Sequence, residues 1–318
     1  MDKKAKIYIS GHTGLLGSAF VRYFKNKGHQ NIIIKTRKEL DLTNQKAVAN
    51  FFAKTKPDYV FHCAARVGSL AANIKYPAEF IYENLMIETN VIHQAYLDKV
   101  KNLIFFGANC AYPRLCPQPM KEEHFLTGSL EPTNQAYAVA KIAGIELCKS
   151  YNQQYGANFL VFIPASLYGP GDYFGEIKER SHVIPDLIKK MHQAKINQES
   201  SVTIVNPDNW REFLYVDDLA RACLFVLFLP VKKRQDIFKD FSFLNVGWGQ
   251  GVTIRKLAQT IQKTVGYKGK LVWSQLGLKG MPKKILSTKR IETLGWQPKI
   301  KLEQGLKLTY QWFLVKSS

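Results

Sequence analysis

The 318-residue chain contains no CxxC pair and no cysteine–histidine spacing of a standard zinc site. Its five cysteines, Cys63, Cys110, Cys116, Cys148 and Cys223, are odd in number. That argues against a disulfide framework and for a reducing, cytoplasmic setting. Cys110, Cys116 and His124 lie near one another in sequence but match no zinc pattern, so no metal is expected. No secretory leader is expected either, since Met1-Asp2-Lys3-Lys4 runs straight into the first strand. The longest apolar stretch, Leu219 to Val231, is broken by Arg221 and Pro230 and is too short to span a bilayer. It reads as a buried helix, with no membrane partner. Internal repeats and low-complexity tracts are missing, which sets solenoids and disordered arrays aside. What is left is a globular chain long enough for one large domain and a smaller lobe.

Acidic residues are scarce: 25 against 45 lysines and arginines, a formal charge of +20. Nucleic acid is one partner such a balance suits. The lysines are scattered along the whole length, however, and no basic-aromatic RNA motif or zinc finger accompanies them. Nucleic acid is therefore not expected. A basic surface suits polyanionic small molecules equally well.

The informative residues are glycines. Lys6 to Ser10 is a short β-rich run, followed at once by Gly11-His12-Thr13-Gly14-Leu15-Leu16-Gly17 and a helical stretch over Ala19 to Lys27. In a βαβ unit this turn sets backbone N–H groups and the positive end of a helix against a pyrophosphate. Gly11 permits the tight turn, Gly14 the approach of the phosphates, and Gly17 the packing of helix on strand. The second strand, Asn31 to Lys35, ends in Lys35-Thr36-Arg37. A bare ribose hydroxyl usually meets an acid there, whereas the planar fork of Arg37 suits a 2′-phosphate, favouring NADPH over NADH. Asp41-Leu42 follows, placed to meet the adenine. Far downstream stands Tyr137-Ala-Val-Ala-Lys141, a Tyr-x-x-x-Lys pair on one helical face. A glycine loop followed by this pair is the arrangement of nicotinamide-dependent reductases.

Strand-like and helical runs alternate through residue 169. The strands are Lys6–Ser10, Asn31–Lys35, Tyr59–Cys63, Asn102–Gly107 and Phe159–Pro164, with helices such as Pro77–Asp98 and Ala136–Tyr155 between them. The pattern predicts an α/β fold, a doubly wound parallel Rossmann sheet, with a smaller C-terminal α/β substrate lobe. Ser242–Gly247 reads as one more strand of that sheet, and Val183–Ala194 as a helix. The cofactor domain is expected over residues 1–169 and 212–247, and the substrate lobe over 170–211 and 248–318.

Several blocks carry a more specific resemblance: the glycine loop, Pro77-Ala78-Glu79-Phe80, Cys110-Ala111-Tyr112-Pro113, Glu131-Pro132-Thr133-Asn134 and Tyr137 through Gly144. Leu167-Tyr168-Gly169-Pro170, Ser181-His182-Val183-Ile184-Pro185, Arg211-Glu212-Phe213 and Val216-Asp217-Asp218 extend it. With these the chain resembles the GDP-L-fucose synthase family of extended short-chain dehydrogenase/reductases, from the first strand to Gln311-Trp312-Phe313. The resemblance implies an NADPH-dependent enzyme that inverts C3 and C5 of a GDP-4-keto-6-deoxyhexose and then reduces C4. It implies Cys110 and His182 as the acid and base at C3 and C5, whose protons the 4-keto group acidifies. It implies Tyr137 as proton donor to the C4 oxygen, with Lys141 lowering the phenol pKa and holding the nicotinamide ribose. The cofactor site is expected to comprise Gly11, Gly14, Leu15, Gly17, Arg37, Asp41, Leu42, Ala64, Ala65, Tyr137, Lys141 and His182. For the GDP-sugar, the candidates are Asn109, Ser166, Lys190, Arg211 and Lys284. A homodimer formed through helices of the cofactor domain is also implied.

Three departures from the family pattern fall near the expected site. Ala108 stands where the family has a serine, two residues before the cysteine, that hydrogen-bonds the keto oxygen. Losing such a donor costs on the order of a hundredfold in rate. Asn109 carries an amide, but adjacent strand residues point to opposite faces. Ser166 replaces the asparagine before Leu-Tyr-Gly-Pro, and Asn206-Pro207-Asp208-Asn209-Trp210 replaces a glycine-containing turn. These changes leave open an enzyme for a different GDP-4-keto-sugar, or one with only the reductase or only the epimerase activity. A non-catalytic NADPH-binding protein ranks last, because it needs neither the Tyr-Lys nor the Cys/His pair.

Overall fold

A computed structural model describes residues 1–175, 181–278 and 280–317. The chain opens with β1 (Ile7–Ser10), α1 (Leu15–Asn26), β2 (Ile32–Ile34), α2 (Gln45–Thr55), β3 (Tyr59–His62), α3 (Leu70–Lys75), α4 (Pro77–Leu97) and β4 (Asn102–Phe106). It continues through α5 (Gln135–Tyr155), β5 (Phe159–Pro164), β6 (Ser166–Tyr168), α6 (Val183–Ile196), β7 (Ser201–Val205), β8 (Trp210–Arg211) and β9 (Phe213–Tyr215). Next come α7 (Val216–Leu227), α8 (Val231–Asp240), β10 (Leu244–Val246), β11 (Val252–Thr253), α9 (Ile254–Val265), β12 (Lys270–Ser274), β13 (Lys283–Lys284), α10 (Lys289–Glu292) and α11 (Leu302–Ser317).

Six strands form one parallel sheet in the order β2-β1-β3-β4-β5-β10. β1, β4 and β5 are near-continuous apolar runs, the composition that parallel strands need when helices cover both faces. The expected return of residues 242–247 to the sheet is seen in β10, where Leu244 pairs with Phe162. The stretch Leu219 to Val231, expected as a buried helix, is one only as far as Leu227, where α7 ends. Leu219, Leu224 and Val226 are buried, whereas Phe228 and Val231 are exposed and Val231 begins α8. Among the described residues, no helix is long and apolar enough to cross a membrane.

Two hydrophobic clusters organise the molecule. The larger surrounds the six-stranded sheet and includes Phe20, Phe61, Val91, Phe105 and Phe162. The second joins α6, α9 and α11 through Ile188, Met191, Leu257, Ile261 and Phe313, with Tyr168 and Tyr215 of the neighbouring β6–β9 pair. Since β1 has β2 on one side and β3 on the other, the chain leaves the carboxyl ends of β1 and β3 at a topological switch point, where open α/β sheets hold ligands. Segments after β1, β3, β4 and β5 together line one cleft of about 1500 Å³, whose other wall includes Ile184, Phe213 and Ile254 of the second cluster.

Candidate active site

The glycine loop forms the floor at one end. Gly11 has φ +65°, and a Cβ on it would stand 2.8 Å from the Ala64 backbone. A Cβ on Gly17 would stand 2.2 Å from the Gly11 carbonyl oxygen, so only glycine lets α1 pack this close to the turn. No side chain caps α1, whose Ncap is Gly14, and its first N–H groups are therefore left for a ligand. Leu15, Ala64 and Ala65 border this end. The cradle fits a dinucleotide pyrophosphate.

Beyond β2, Lys35, Arg37, Asp41 and Leu42 also line the cleft. Arg37 is mostly exposed, with Nη1 3.2 Å from Glu83 Oε2. The other Glu83 oxygen takes Arg66 at 2.6 Å. One carboxylate thus orients two guanidiniums where a 2′-phosphate is expected. Asp41 accepts from the Thr43 amide and hydroxyl, which hold its carboxyl below its usual range.

Tyr137 and Lys141 face the middle of the cleft from α5. The Lys141 ammonium is buried, 2.9 Å from the Glu88 carboxylate on α4 and 4.8 Å from the centre of the Phe105 ring. Tyr137 departs from expectation. Desolvation, then the neighbouring Cys110 and Glu88, push its phenol well above the ordinary value. The expected lowering by Lys141 is not seen, and Lys141 is ion-paired with Glu88 instead.

The chain after β4 turns into a short 3-10 helix, Asn109–Ala111. The alternation of a strand therefore does not apply, and Ala108, Asn109 and Cys110 all border the cleft. Burial raises the Cys110 thiol, while Lys284 and Lys141 draw it down. His182 reaches the cleft from the N-cap position of α6, where it caps nothing. The residue is exposed to solvent, yet desolvation lowers its pKa.

Arg211 of β8 and Lys284 of β13 are register partners in a parallel pair. This sets two cations side by side on the cleft wall. Burial lowers the pKa of both, and Arg211 lowers Lys284 further. Ser166 of β6 borders the same space. Lys190 does not. It is not among the residues lining the cleft, and its ammonium lies 3.0 Å from Asp186, one turn earlier on α6. Cys116 and His124, 3.4 Å apart, also lie off the cleft wall.

Several wall residues escaped the reading of the sequence as site residues. Glu131 is buried, accepts from Thr133 and lies 3.3 Å from Arg114, fixing the turn before α5. Thr133 and Asn134 line the cleft behind it. Glu88 interrupts the apolar face of α4 between Ile87 and Val91, and a lone acid in such a row is a signal that sequence alone can show.

Comparison with known proteins agrees with this geometry. The NAD dependent epimerase/dehydratase family pattern matches residues 7–239. GDP-L-fucose synthase 1 of Arabidopsis thaliana is 47% identical over 314 residues, covering 98% of this chain and 94% of that protein. GDP-L-fucose synthase of Escherichia coli K12 is 46% identical over 313 residues, covering 98% and 97%. The chain belongs to the GDP-L-fucose synthase family. Within that family's structural surroundings, the GDP-mannoheptose C4 reductase of Campylobacter jejuni, solved with NADP bound, is 38% identical with a TM-score of 0.89 and covers 99% of each chain.

Proposed function

We propose that the protein is an NADPH-dependent 3,5-epimerase/4-reductase acting on a GDP-4-keto-6-deoxyhexose, as a GDP-L-fucose synthase does. One observation carries the reading: a single cleft brings the glycine cradle, Tyr137 and Lys141, Cys110 and His182, and the Arg211–Lys284 pair together. Arg211 and Lys284 suit the substrate diphosphate. NADPH held on the cradle supplies the hydride. Cys110 and His182 both rest uncharged near neutral pH, a thiol able to donate and an imidazole able to accept. Tyr137 keeps its proton until charge develops on the C4 oxygen. Asn109 brings an amide to the wall beside Ala108, in place of the missing hydroxyl.

A second reading is a C4 reductase for another GDP-sugar. Ala108 and Ser166 on the substrate wall favour it, as does the likeness to the GDP-mannoheptose C4 reductase. The test is NADPH consumption with GDP-4-keto-6-deoxy-mannose in deuterated water, with the product analysed by NMR. Reduction with deuterium at both C3 and C5 is expected. Reduction without exchange supports the second reading, and neither reaction moves the search to other nucleotide sugars.

The reading also includes a cytoplasmic homodimer. The five cysteines are free thiols, which suits a reducing compartment. The helices α4 and α5 pack on each other and leave Tyr82, Leu97 and Tyr155 half exposed or more, an apolar edge suited to a second copy.

A further inference from the structure

Glu88 sits mid-helix in α4, 1% exposed. Its Oε1 lies 2.9 Å from the Lys141 ammonium, which is itself buried. Oε2 has no hydrogen-bond partner among the described residues. Gly144, one turn past Lys141, makes the room: a Cβ there would stand 2.7 Å from Oε2 and 2.4 Å from the Phe105 ring. Burial pushes the Glu88 carboxyl up, and Lys141 pulls it back.

The other titratable groups facing this pair are held neutral near pH 7. His62, at the end of β3, is lowered to about 3 by burial, with Lys141 adding to the shift. Cys63 beside it, Cys110 on the 3-10 turn and Cys148 on α5 are raised, each chiefly by burial. Tyr137 is raised too, chiefly by burial, with Cys110 and Glu88 adding to it. Among the described residues the ammonium therefore has one counter-charge, supplied from a different helix.

We propose that Glu88 is a positioning residue for the reduction, holding the Lys141 ammonium under the proton donor Tyr137. Removing the Glu88 charge acts on both groups in the same direction. An ammonium among rings and thiols without a counter-charge favours the neutral amine. A phenol freed of a neighbouring carboxylate ionises more readily. Loss of the Glu88 charge thus empties both groups of protons at a lower pH. Proton transfer at C3 and C5 is assigned to Cys110 and His182, and burial dominates the pKa of both. The proposal rests on the reductase reading above.

The test uses the full chain with Glu88→Gln, which keeps the shape and removes the charge, and Glu88→Asp, which keeps the charge and shortens its reach. In Glu88→Gln the basic limb of NADPH oxidation should move down by about one pH unit or more, with deuterium exchange at C3 and C5 within about twofold of wild type. NADPH affinity, read by nicotinamide fluorescence, should weaken about tenfold more at about pH 9 than at about pH 6. Glu88→Asp should reduce at least about threefold more slowly with exchange unchanged, and it carries the test where Glu88→Gln does not fold. An unmoved limb, exchange lost together with reduction, or wild-type reduction in Glu88→Asp overturns the proposal. A wild-type chain inactive on the GDP-sugar defeats the functional reading instead. The fluorescence titration then decides Glu88 alone, and parallel pH curves count against it.

Discussion

On the proposed function, the choice of reaction turns on Ala108 and Asn109, both of which line the cleft. Ala108 offers no donor to the keto oxygen, and Asn109 comes to the cleft because the strand has already ended at Phe106. Asn109→Ala should therefore slow NADPH oxidation by about tenfold or more, while Ala108→Ser should leave it equal or raise it. Steady-state rates on one substrate decide both. Cys110 and His182 predict the pH dependence of exchange. A base with a lowered pKa stays neutral until the pH falls below its usual range, and an acid with a raised pKa keeps its proton above its own. The NMR exchange rate should thus form a broad plateau, lost on the acid side by His182 and on the basic side by Cys110. At this scale the sequence is legible where residue type and spacing carry chemistry, as in Tyr137 and Lys141. It misleads at Lys190, although Asp186 four residues earlier already offered that lysine a helical partner. The Lys141–Glu88 pair joins two helices, so no spacing within either could reveal it.

Elements show the same division. The strands of the large sheet were legible to within a residue or two, because apolar runs bounded by turns and rich in β-branched and aromatic residues are here too short for a buried helix. The two-residue strands β8, β11 and β13 were not. They are too short for any period, and their neighbours define them. Glu212 shows how such pieces are joined. It accepts the Gly249 and Leu286 amides, each at 2.7 Å, and thereby ties β9 to two distant turns. Burial raises its carboxyl to about 7, above the usual carboxylate range, and buried Asp172 is raised to about 7 as well. The folded protein therefore holds these protons where the unfolded chain has released them. Their contribution is full below about pH 4 and is lost as pH rises through about 7, a slope worth a few kcal/mol. Urea unfolding across this range should show it, and Glu212→Gln should flatten it. That variant should also cost about 1–3 kcal/mol, since its amide NH2 meets a backbone donor.

On the scale of the whole molecule, the charge of +20 spreads over the chain while the anion-binding groups gather in one cleft. Attraction between a basic surface and a polyanionic ligand is screened within about 10 Å at 0.1 M salt. The association rate of NADPH should fall severalfold between low and physiological salt, with a smaller change in its release. Stopped-flow fluorescence measures both. Light scattering of the purified chain tests the homodimer, and an aspartate at Tyr82 or Tyr155 should give monomers. The second hydrophobic cluster draws its buried members from Tyr168 onward, close to where the sequence changes texture. How the cleft is closed was not legible, because its walls come from segments far apart in the chain.

The register of Lys284 against Arg211 bears on how much change the turn before it can absorb. The residue before Lys284 is also a lysine, and Lys283 lies with its ammonium 5.7 Å from the Trp210 ring, on the same short pairing. An insertion of one residue in the preceding turn would slide the strand by one position and bring Lys283 opposite Arg211 in place of Lys284. The doublet works as a spare: that turn can grow by one residue while a lysine stays beside Arg211.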